Sequence, residues 1–395
     1  LNVTLSREPS WSQLRDKVVI GDLDGAHMLA PMPLALTLGL TGGPFPMVTA
    51  FSMGLNGHAI TVSNALFEEI RTTDPTGAHT HPASARPLHA AIAARKHAGR
   101  APLTFAMVFP YSMHNYMLRY WLAATGIHPD RDLRIIGVPP PRMAEELKAG
   151  NIDGFCVGEP WHQMAIEAGV GRVLITGYDF WNNGPEKVFS VSQTWMEKHP
   201  HTHHALLCAM IEAAQWLDTP EGRTDVPQIL ARPEYVGVPA HIIGAPLSGN
   251  YRTSQNGAIR HLPDFNVFSR YGANFPWVSH GLWILGQMYR WGHLTTPCDM
   301  GVVARSVLRP DLYRRAAAEM GVAAPAHDVK IEGGHAGNWM LDDFPLGADN
   351  FFDGRRFDPL RPASYLEGFG VHSLRLPLNQ IYSSHVDIPK SQVRL

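Results

Sequence analysis

A short turn-and-strand unit that occurs twice constrains the fold of this chain more than any other feature. Residues 21–26 read GDLDGA and residues 150–155 read GNIDGF, and a proline follows six residues after the second glycine of each copy, at Pro31 and Pro160. The pattern predicts a helix that ends at the first glycine, a turn, a short strand and a helix that begins near the proline. Because such turns are common, the two copies could also have arisen by chance. The two glycines and the proline keep the same spacing in both copies, which favours two lobes built on one plan.

The first half of the chain predicts an α/β fold with mixed, mostly parallel sheets, because helix and strand signals alternate along it. Ser10 and Gln13 fit an S-x-x-Q capping box that opens a helix through Val19, and residues 104–109 form an apolar run typical of a buried strand. A chain of 395 residues is long enough for two cores.

Composition and charge exclude several classes of protein. The formal net charge is −2, so no overall positive field attracts nucleic acid or an acidic membrane surface. Apolar residues make up 45% of the chain, yet no segment is long and apolar enough to span a bilayer. The three cysteines form no C-x-x-C pair, which predicts free thiols rather than a zinc site or a disulfide framework.

The sequence carries no common enzyme motif: we find no G-x-S-x-G elbow, no P-loop, no H-E-x-x-H and no dinucleotide-binding glycine pattern. Histidines crowd residues 198–204 (KHPHTHH), and His79 and His81 form a second cluster. Those of the first cluster straddle a proline at a helix start, so we predict solvated surface rather than metal ligands. The prediction is a binding protein that is not an enzyme, with no catalytic residues, no metal and no cofactor.

Two predicted helix starts suit an anion, because the first turn of a helix exposes unpaired N–H groups at the positive end of its dipole. One helix begins at Trp11, Ser12 and Gln13. The other follows the strand at 104–109, with Ser112 as N-cap and His114 in the first turn. Taken singly, Trp11 is also explained as a core residue and His114 as a hydrogen-bonded, half-buried histidine.

Several long stretches resemble the NrtA/CmpA-like family of nitrate- and bicarbonate-binding solute receptors, and most closely its nitrate/nitrite sensors of the NasS type. The matching stretches are SWSQLRDKVVIGDLDGAHMLAPMPLALTLGL, LNGHAITVS, TFAMVFPYSMHNYMLRYWLAATGIHPDRDL, PPPRMAEELKAGNIDGFCVGEPWHQ and GPEKVFSVSQTWMEKHP. They cover most of residues 9–220. The resemblance implies a two-lobed, type II periplasmic-binding-protein-like (C-clamp) fold that closes on its ligand. It also implies a further strand and helix before Leu1.

The same resemblance implies a set of ligand-binding residues: Trp11, Ser12, Gln13, His58, His114 and Lys187. His58 departs from the transporter pattern, which has glutamine there, and brings a different reach and a response to pH. Lys187 favours nitrate or nitrite, because a planar monovalent anion needs one cation and several neutral donors. A bicarbonate receptor of this family is expected to carry an acidic residue at that position, together with calcium.

From the resemblance we expect lobe I to comprise residues 1–102 and 190–395, with a wrapping C-terminal tail, and lobe II to comprise residues 103–189. The expected function is a cytoplasmic nitrate/nitrite sensor that regulates nitrate assimilation through an RNA-binding antiterminator of the NasT type, bound in the ligand-free state. We infer the cytoplasm because no leader and no lipid-attachment cysteine is seen. The alternative is the periplasmic solute-binding component of an ABC-type nitrate transporter. A rival from another class is an enzyme on the same scaffold, such as a pyrimidine-precursor synthase.

Overall fold

A computed structural model describes residues 1–77, 82–389 and 392 of the chain. His79 and His81 lie outside the described residues. Contacts divide the chain into two compact units. The first unit contains Leu1–Leu55, Asn182–Thr219 and Val267–Leu395, and the second contains Asn56–Trp181 and Pro220–Asn266.

The strands, in chain order, are β1 (Gly25–Leu29), β2 (Met47–Asn56), β3 (His58–Ser63), β4 (Thr104–Met107), β5 (Arg134–Gly137), β6 (Gly154–Gly158), β7 (Gly171–Thr176), β8 (Pro185–Ser192), β9 (Asn250–Arg252), β10 (Ile259–His261), β11 (Asn266–Val267), β12 (Trp339–Leu341) and β13 (Phe344–Leu346).

The α-helices, in chain order, are α1 (Trp11–Ile20), α2 (Pro31–Thr37), α3 (Asn64–Thr73), α4 (Arg86–His97), α5 (Met113–Ala123), α6 (Met143–Lys148), α7 (Trp161–Glu167), α8 (Gly177–Phe180), α9 (Gln193–Lys198), α10 (Pro200–Leu217), α11 (Pro220–Leu230), α12 (Ala240–Leu247), α13 (Val278–Arg290), α14 (Met300–Val307), α15 (Pro310–Glu319) and α16 (Pro362–Glu367). In the described part of the chain, none of them has both the length and the apolar character that a bilayer span requires.

The repeated unit has the same structure in both places. Gly21 and Gly150 follow their helices with positive φ angles of 82° and 72°, which glycine adopts without steric cost. Strands β1 and β6 begin at the second glycine of each copy, and helices α2 and α7 follow. One copy lies in each unit, as expected for two units built on one plan.

The fold is α/β with mixed sheets, as predicted, but its sheets are not mostly parallel. In the first unit β8 runs antiparallel to both β1 and β2. In the second unit the order is β5-β4-β6-β3-β7; β4 runs parallel to β5 and β6, whereas β3 runs antiparallel to β6 and β7. Strands β3 and β8 each follow a passage of the chain from one unit to the other. They therefore enter their sheets without the crossover helix that parallel neighbours need.

The boundaries of the units differ from the predicted lobes. Residues 56–102 belong to the second unit, because β3 hydrogen-bonds to β6 and β7. Residues 220–266 join it too: the Arg260 guanidinium pairs with the Asp179 carboxylate at 2.8 Å, and the Gln163 side-chain amide donates to the Arg252 carbonyl at 3.0 Å. Residues 182–189 belong to the first unit through β8. The segment after Gly333, predicted as a wrapping tail, lies in the first unit and includes β12, β13 and α16.

Candidate functional site

The start of α1 has the serine N-cap of the predicted capping box. Ser10 is the N-cap, with an extended backbone, and its Oγ accepts the Gln13 N–H at 3.2 Å. The Leu14 N–H donates to the Ser10 carbonyl at 3.0 Å. The amides of Trp11 and Ser12 have no acceptor inside the helix, by the geometry of any first turn. The cap therefore uses the Gln13 amide and leaves the amides of Trp11 and Ser12 as the candidate donors to an external acceptor.

A cation lies over the indole at this helix start. The Lys187 ammonium is 5.6 Å from the centroid of the Trp11 ring, and the Lys187 side chain is 16% exposed. The buried carboxylate of Glu186 contacts the same ammonium. Lys187 comes from β8, where its Cα lies opposite Leu29 of β1. The His27 ring, also on β1, meets the Trp11 ring edge-on at 5.6 Å. A helix start, a cation and two rings thus form one group in the first unit.

His58 belongs to the second unit and follows a tight turn. Asn56 and Gly57 both have positive φ angles, 61° and 80°, and the His58 Nδ1 lies 3.3 Å from the Asn56 carbonyl. Because a carbonyl only accepts, Nδ1 carries the proton in this contact. The Nε2 atom then donates to an anion only when the ring is doubly protonated. The neutral amide of glutamine, which the resemblance led us to expect here, has no such dependence on pH.

His114 is held beside His58 by a well-bonded helix start. Ser112 Oγ accepts the Asn115 N–H at 3.0 Å and donates to the Phe109 carbonyl at 2.7 Å. The two imidazole centroids are 5.7 Å apart and nearly perpendicular, and His58 and His114 are only 3% and 1% exposed. The second unit therefore contains two adjacent buried imidazoles. The predicted boundaries had placed His58 in lobe I and His114 in lobe II.

Gly177 at the start of α8 makes room for His58. A β-carbon built at Gly177 would lie 2.7–2.9 Å from three atoms of the His58 ring. We expect Gly177→Ala to displace that ring and to lower the free energy of unfolding by about 1–3 kcal/mol, the usual cost of overpacking. Urea denaturation measures the cost, and Gly150→Ala is no substitute control because its φ is positive. Gly137→Ala is matched, since its β-carbon meets nothing within 4 Å. Equal midpoints for the two variants would contradict the tight contact.

In the same unit, β6 leads into Glu159, a half-buried carboxyl group. The Tyr251 hydroxyl donates to Glu159 Oε1 at 2.5 Å, and the Gln163 N–H donates to Oε2 at 3.3 Å. Burial raises the pKa of Glu159 to about 7, although these hydrogen bonds lower it. His162 is buried nearby between the Thr61 hydroxyl and the Val157 carbonyl, at 2.7 and 2.6 Å, and burial lowers its pKa to about 4.

A pH dependence of stability follows from Glu159. A carboxyl group with a folded pKa above its unfolded value of about 4.5 stabilises the fold fully below pH 4.5. That contribution is lost as the pH rises to 7, at about 1.4 kcal/mol per unit of pKa difference. His162 acts in the opposite direction, since its stabilisation is lost as the pH falls from 6.5 toward 4. The comparison of wild type with Glu159→Gln isolates the carboxyl contribution. Urea midpoints should show the wild type losing stability relative to this variant between pH 4.5 and 7, and a constant difference would contradict the shift.

The structure groups the predicted site residues differently from the prediction. Trp11, Ser12, Gln13 and Lys187 lie in the first unit, whereas His58 was expected with them and lies with His114 in the second. Sequence reasoning missed His27 and Glu186 as neighbours of the Trp11–Lys187 pair. The HML and PEK stretches that contain them carry no signal of the pairing of β1 with β8. Among the described residues, a single set of three potential metal ligands lies close together, at His204, Cys208 and Glu319.

The comparisons with known proteins agree on one family. The model of the NMT1-like family matches residues 1–231. The nitrate/nitrite binding protein NrtA of Synechocystis sp. PCC 6803 is 33% identical over 383 residues, which cover 95% of this chain and 79% of that protein. The nitrate import ATP-binding protein NrtC of the same organism is 38% identical over 375 residues, 94% of this chain. The chain spans about half of that relative, 51% of its length.

A solved structure supports the same relationship. The periplasmic nitrate-binding protein NrtA from Synechocystis PCC 6803 superposes with a TM-score of 0.80 at 32% identity, covering 92% of this chain and 89% of that chain. This match confirms the predicted periplasmic-binding-protein fold. The chain therefore belongs to the NMT1-like family, among the NrtA-like solute-binding proteins.

Proposed function

We propose that this chain binds nitrate or nitrite and serves an ABC-type nitrate importer as its periplasmic solute-binding component. The observation that carries the proposal is the Lys187 ammonium over the Trp11 ring, beside the first turn of α1. This group supplies one cation, one apolar ring face and the amides of a first helical turn, which together suit a flat monovalent oxyanion. The relatives named nitrate-binding proteins and nitrate import proteins support the same ligand.

The resemblance led us to expect ligand binding by Trp11, Ser12, Gln13, Lys187, His58 and His114, and we propose all of them except Gln13. The Gln13 amide is bonded within the cap, so we assign the helix contribution to the amides of Trp11 and Ser12. The two imidazoles are proposed as further donors and are tested separately through His58→Gln and His114→Ala.

Isothermal titration calorimetry of the full chain tests the ligand. Nitrate, nitrite, bicarbonate and sulfate are titrated separately at one ionic strength. We expect one site that binds nitrate or nitrite, with no heat from sulfate. Binding of bicarbonate without nitrate or nitrite would overturn the proposal. Calcium added to the bicarbonate titration covers the metal-assisted case.

Glu186 provides a sharper test of the site, because its buried carboxylate contacts the same ammonium that the anion would use. We expect Glu186→Gln to strengthen nitrate binding by about 1–3 kcal/mol, the scale of a like-charge repulsion over several ångströms at an effective dielectric constant near 20. Calorimetry measures the change. Glu197→Gln, an exposed carboxylate of α9, is the control for net charge. A weaker site in Glu186→Gln would mean that Glu186 positions Lys187 rather than competing with the anion.

The predicted sensor role differs from the importer role in partner and location. One relative reported above is named as a nitrate import protein, and the matching solved structure is named as a periplasmic protein; both names support the importer. Fractionation of cells that make the natural protein distinguishes the two roles. Recovery in the periplasmic fraction supports import. Recovery in the cytosol, with an RNA-binding antiterminator copurifying only when nitrate is absent, would favour the sensor instead.

A further inference from the structure

Three side chains with different metal-binding atoms converge on the surface of the first unit, where α10 packs against α15. His204 and Cys208 stand four residues apart on α10, so they share one face of the helix. Glu319 is the last residue of α15. None of these residues belongs to the Trp11–Lys187 group.

The distances suit a small coordination sphere. His204 Nε2 lies 2.6 Å from Glu319 Oε2 and 3.7 Å from Cys208 Sγ, and the three ligand atoms lie within 4.8 Å of one another. Zinc bonds of about 2.3 Å to sulfur and 2.0–2.1 Å to nitrogen place two tetrahedral ligands roughly 3.5 Å apart. The Cys208–His204 separation matches this value. Tetrahedral nitrogen and oxygen ligands of zinc lie roughly 3.3 Å apart, so the Glu319 carboxylate must move away from His204. Its side chain is 66% exposed and free to rotate that far.

We infer that His204, Cys208 and Glu319 form a zinc(II) site that joins α10 to α15, with a water molecule as the fourth ligand. A thiolate, an imidazole and a carboxylate are all zinc ligands, whereas the thiolate disfavours calcium and magnesium. The partial exposure of His204 leaves room for the water. The histidine-rich stretch was predicted as solvated surface because its histidines straddle a proline at a helix start, whereas a metal site usually needs a carboxylate or thiolate beside the imidazole. The structure supplies both.

Zinc binding at Cys208 is coupled to loss of the thiol proton. Zinc binds the thiolate, so binding must release a proton and weaken as the pH falls. Cys208 also packs against the core between the two helices. Zinc bound to the folded state alone would therefore raise the melting temperature of this unit.

Cobalt(II) substitution tests the site in the full chain without an affinity tag. We expect one equivalent of cobalt to give a thiolate-to-metal charge-transfer band that zinc abolishes. Cys208→Ser should remove the band, and His204→Ala and Glu319→Gln should weaken zinc binding by at least about 100-fold. Even loss of an outer-shell partner costs about 10–100-fold. Because Glu319 is exposed, Glu319→Gln should fold normally, and circular dichroism of each variant checks this.

Two matched variants distinguish this site from unspecific binding. Cys298→Ser removes a half-buried cysteine elsewhere in the same unit. His327→Ala removes a surface histidine paired with the Asp342 carboxylate at 2.7 Å, much like the His204–Glu319 pair. Both should keep the charge-transfer band and the zinc affinity. A band that survives Cys208→Ser, or a loss of it in Cys298→Ser, would overturn the assignment, as would the absence of any band in the wild type.

Discussion

Lys187→Met should weaken nitrate binding by about 2–5 kcal/mol, which is at least a 25-fold rise in the dissociation constant. The Lys187 side chain is 16% exposed, so its contact with an anion is poorly screened by water. Methionine keeps much of the length and apolar surface of the lysine stem, so packing against the Trp11 ring changes little. The loss then reports mainly on the charge. Calorimetry with nitrate measures it.

Removal of Lys187 also leaves the Glu186 carboxylate buried without its partner in this pair, and this alone would repel an anion. The double variant Lys187→Met with Glu186→Gln separates the two effects, since it should recover a part of the affinity and remain well below the wild type. Lys198→Met, an exposed lysine of α9 in the same unit, controls for net charge. Wild-type affinity in Lys187→Met would remove this residue from the site.

Local signals allowed the sequence to predict several elements closely. The helix at Trp11–Ile20 begins at its serine cap and ends at Gly21, where the capping pattern and the glycine indicated. The helix at Met113–Ala123 begins after Ser112 for the same reason. In both cases the information lies within a few neighbouring residues, because a cap is a contact between residues two or three positions apart.

Features that depend on distant pairing were not predictable in this way. His58 joined the second unit because β3 pairs with β6, which lies about a hundred residues further along the chain. The Lys187–Trp11 contact arises because β8 returns beside β1. The approach of Glu319 to Cys208 depends on the packing of α15 against α10, although the His204–Cys208 spacing can be read directly from the sequence. Strand order and helix packing bring together residues that are far apart in the sequence, and no pattern within a short segment indicates which ones will meet.

We expect Lys330→Met to lower the stability of the fold more than Gly177→Ala does. Lys330 lies where the C-terminal part of the chain contacts α13. The Lys330 ammonium contacts the carboxylates of both Glu332 and Asp349, the latter at 2.6 Å, and all three residues are buried. The Ser279 hydroxyl of α13 donates to Glu332 Oε1 at 2.5 Å, and the Gly333 N–H donates to Asp349 Oδ1 at 2.8 Å. These hydrogen bonds hold the Glu332 and Asp349 carboxylates in buried positions. Water therefore cannot take the place of the Lys330 ammonium in the variant.

We expect Lys330→Met to lower the free energy of unfolding by about 3–5 kcal/mol, the cost of leaving a buried charge uncompensated. Burial raises the pKa of Glu332, and the Lys330 ammonium acts against that shift. The loss of the ammonium therefore makes it harder to keep the Glu332 carboxylate charged inside the fold. Lys330→Met with Asp349→Asn should recover much of the stability. Urea denaturation at pH 7 measures the single and the double variant, with the exposed Lys96→Met as control. A deficit that matches that of Lys96→Met would show that this network does not hold the C-terminal segment in place.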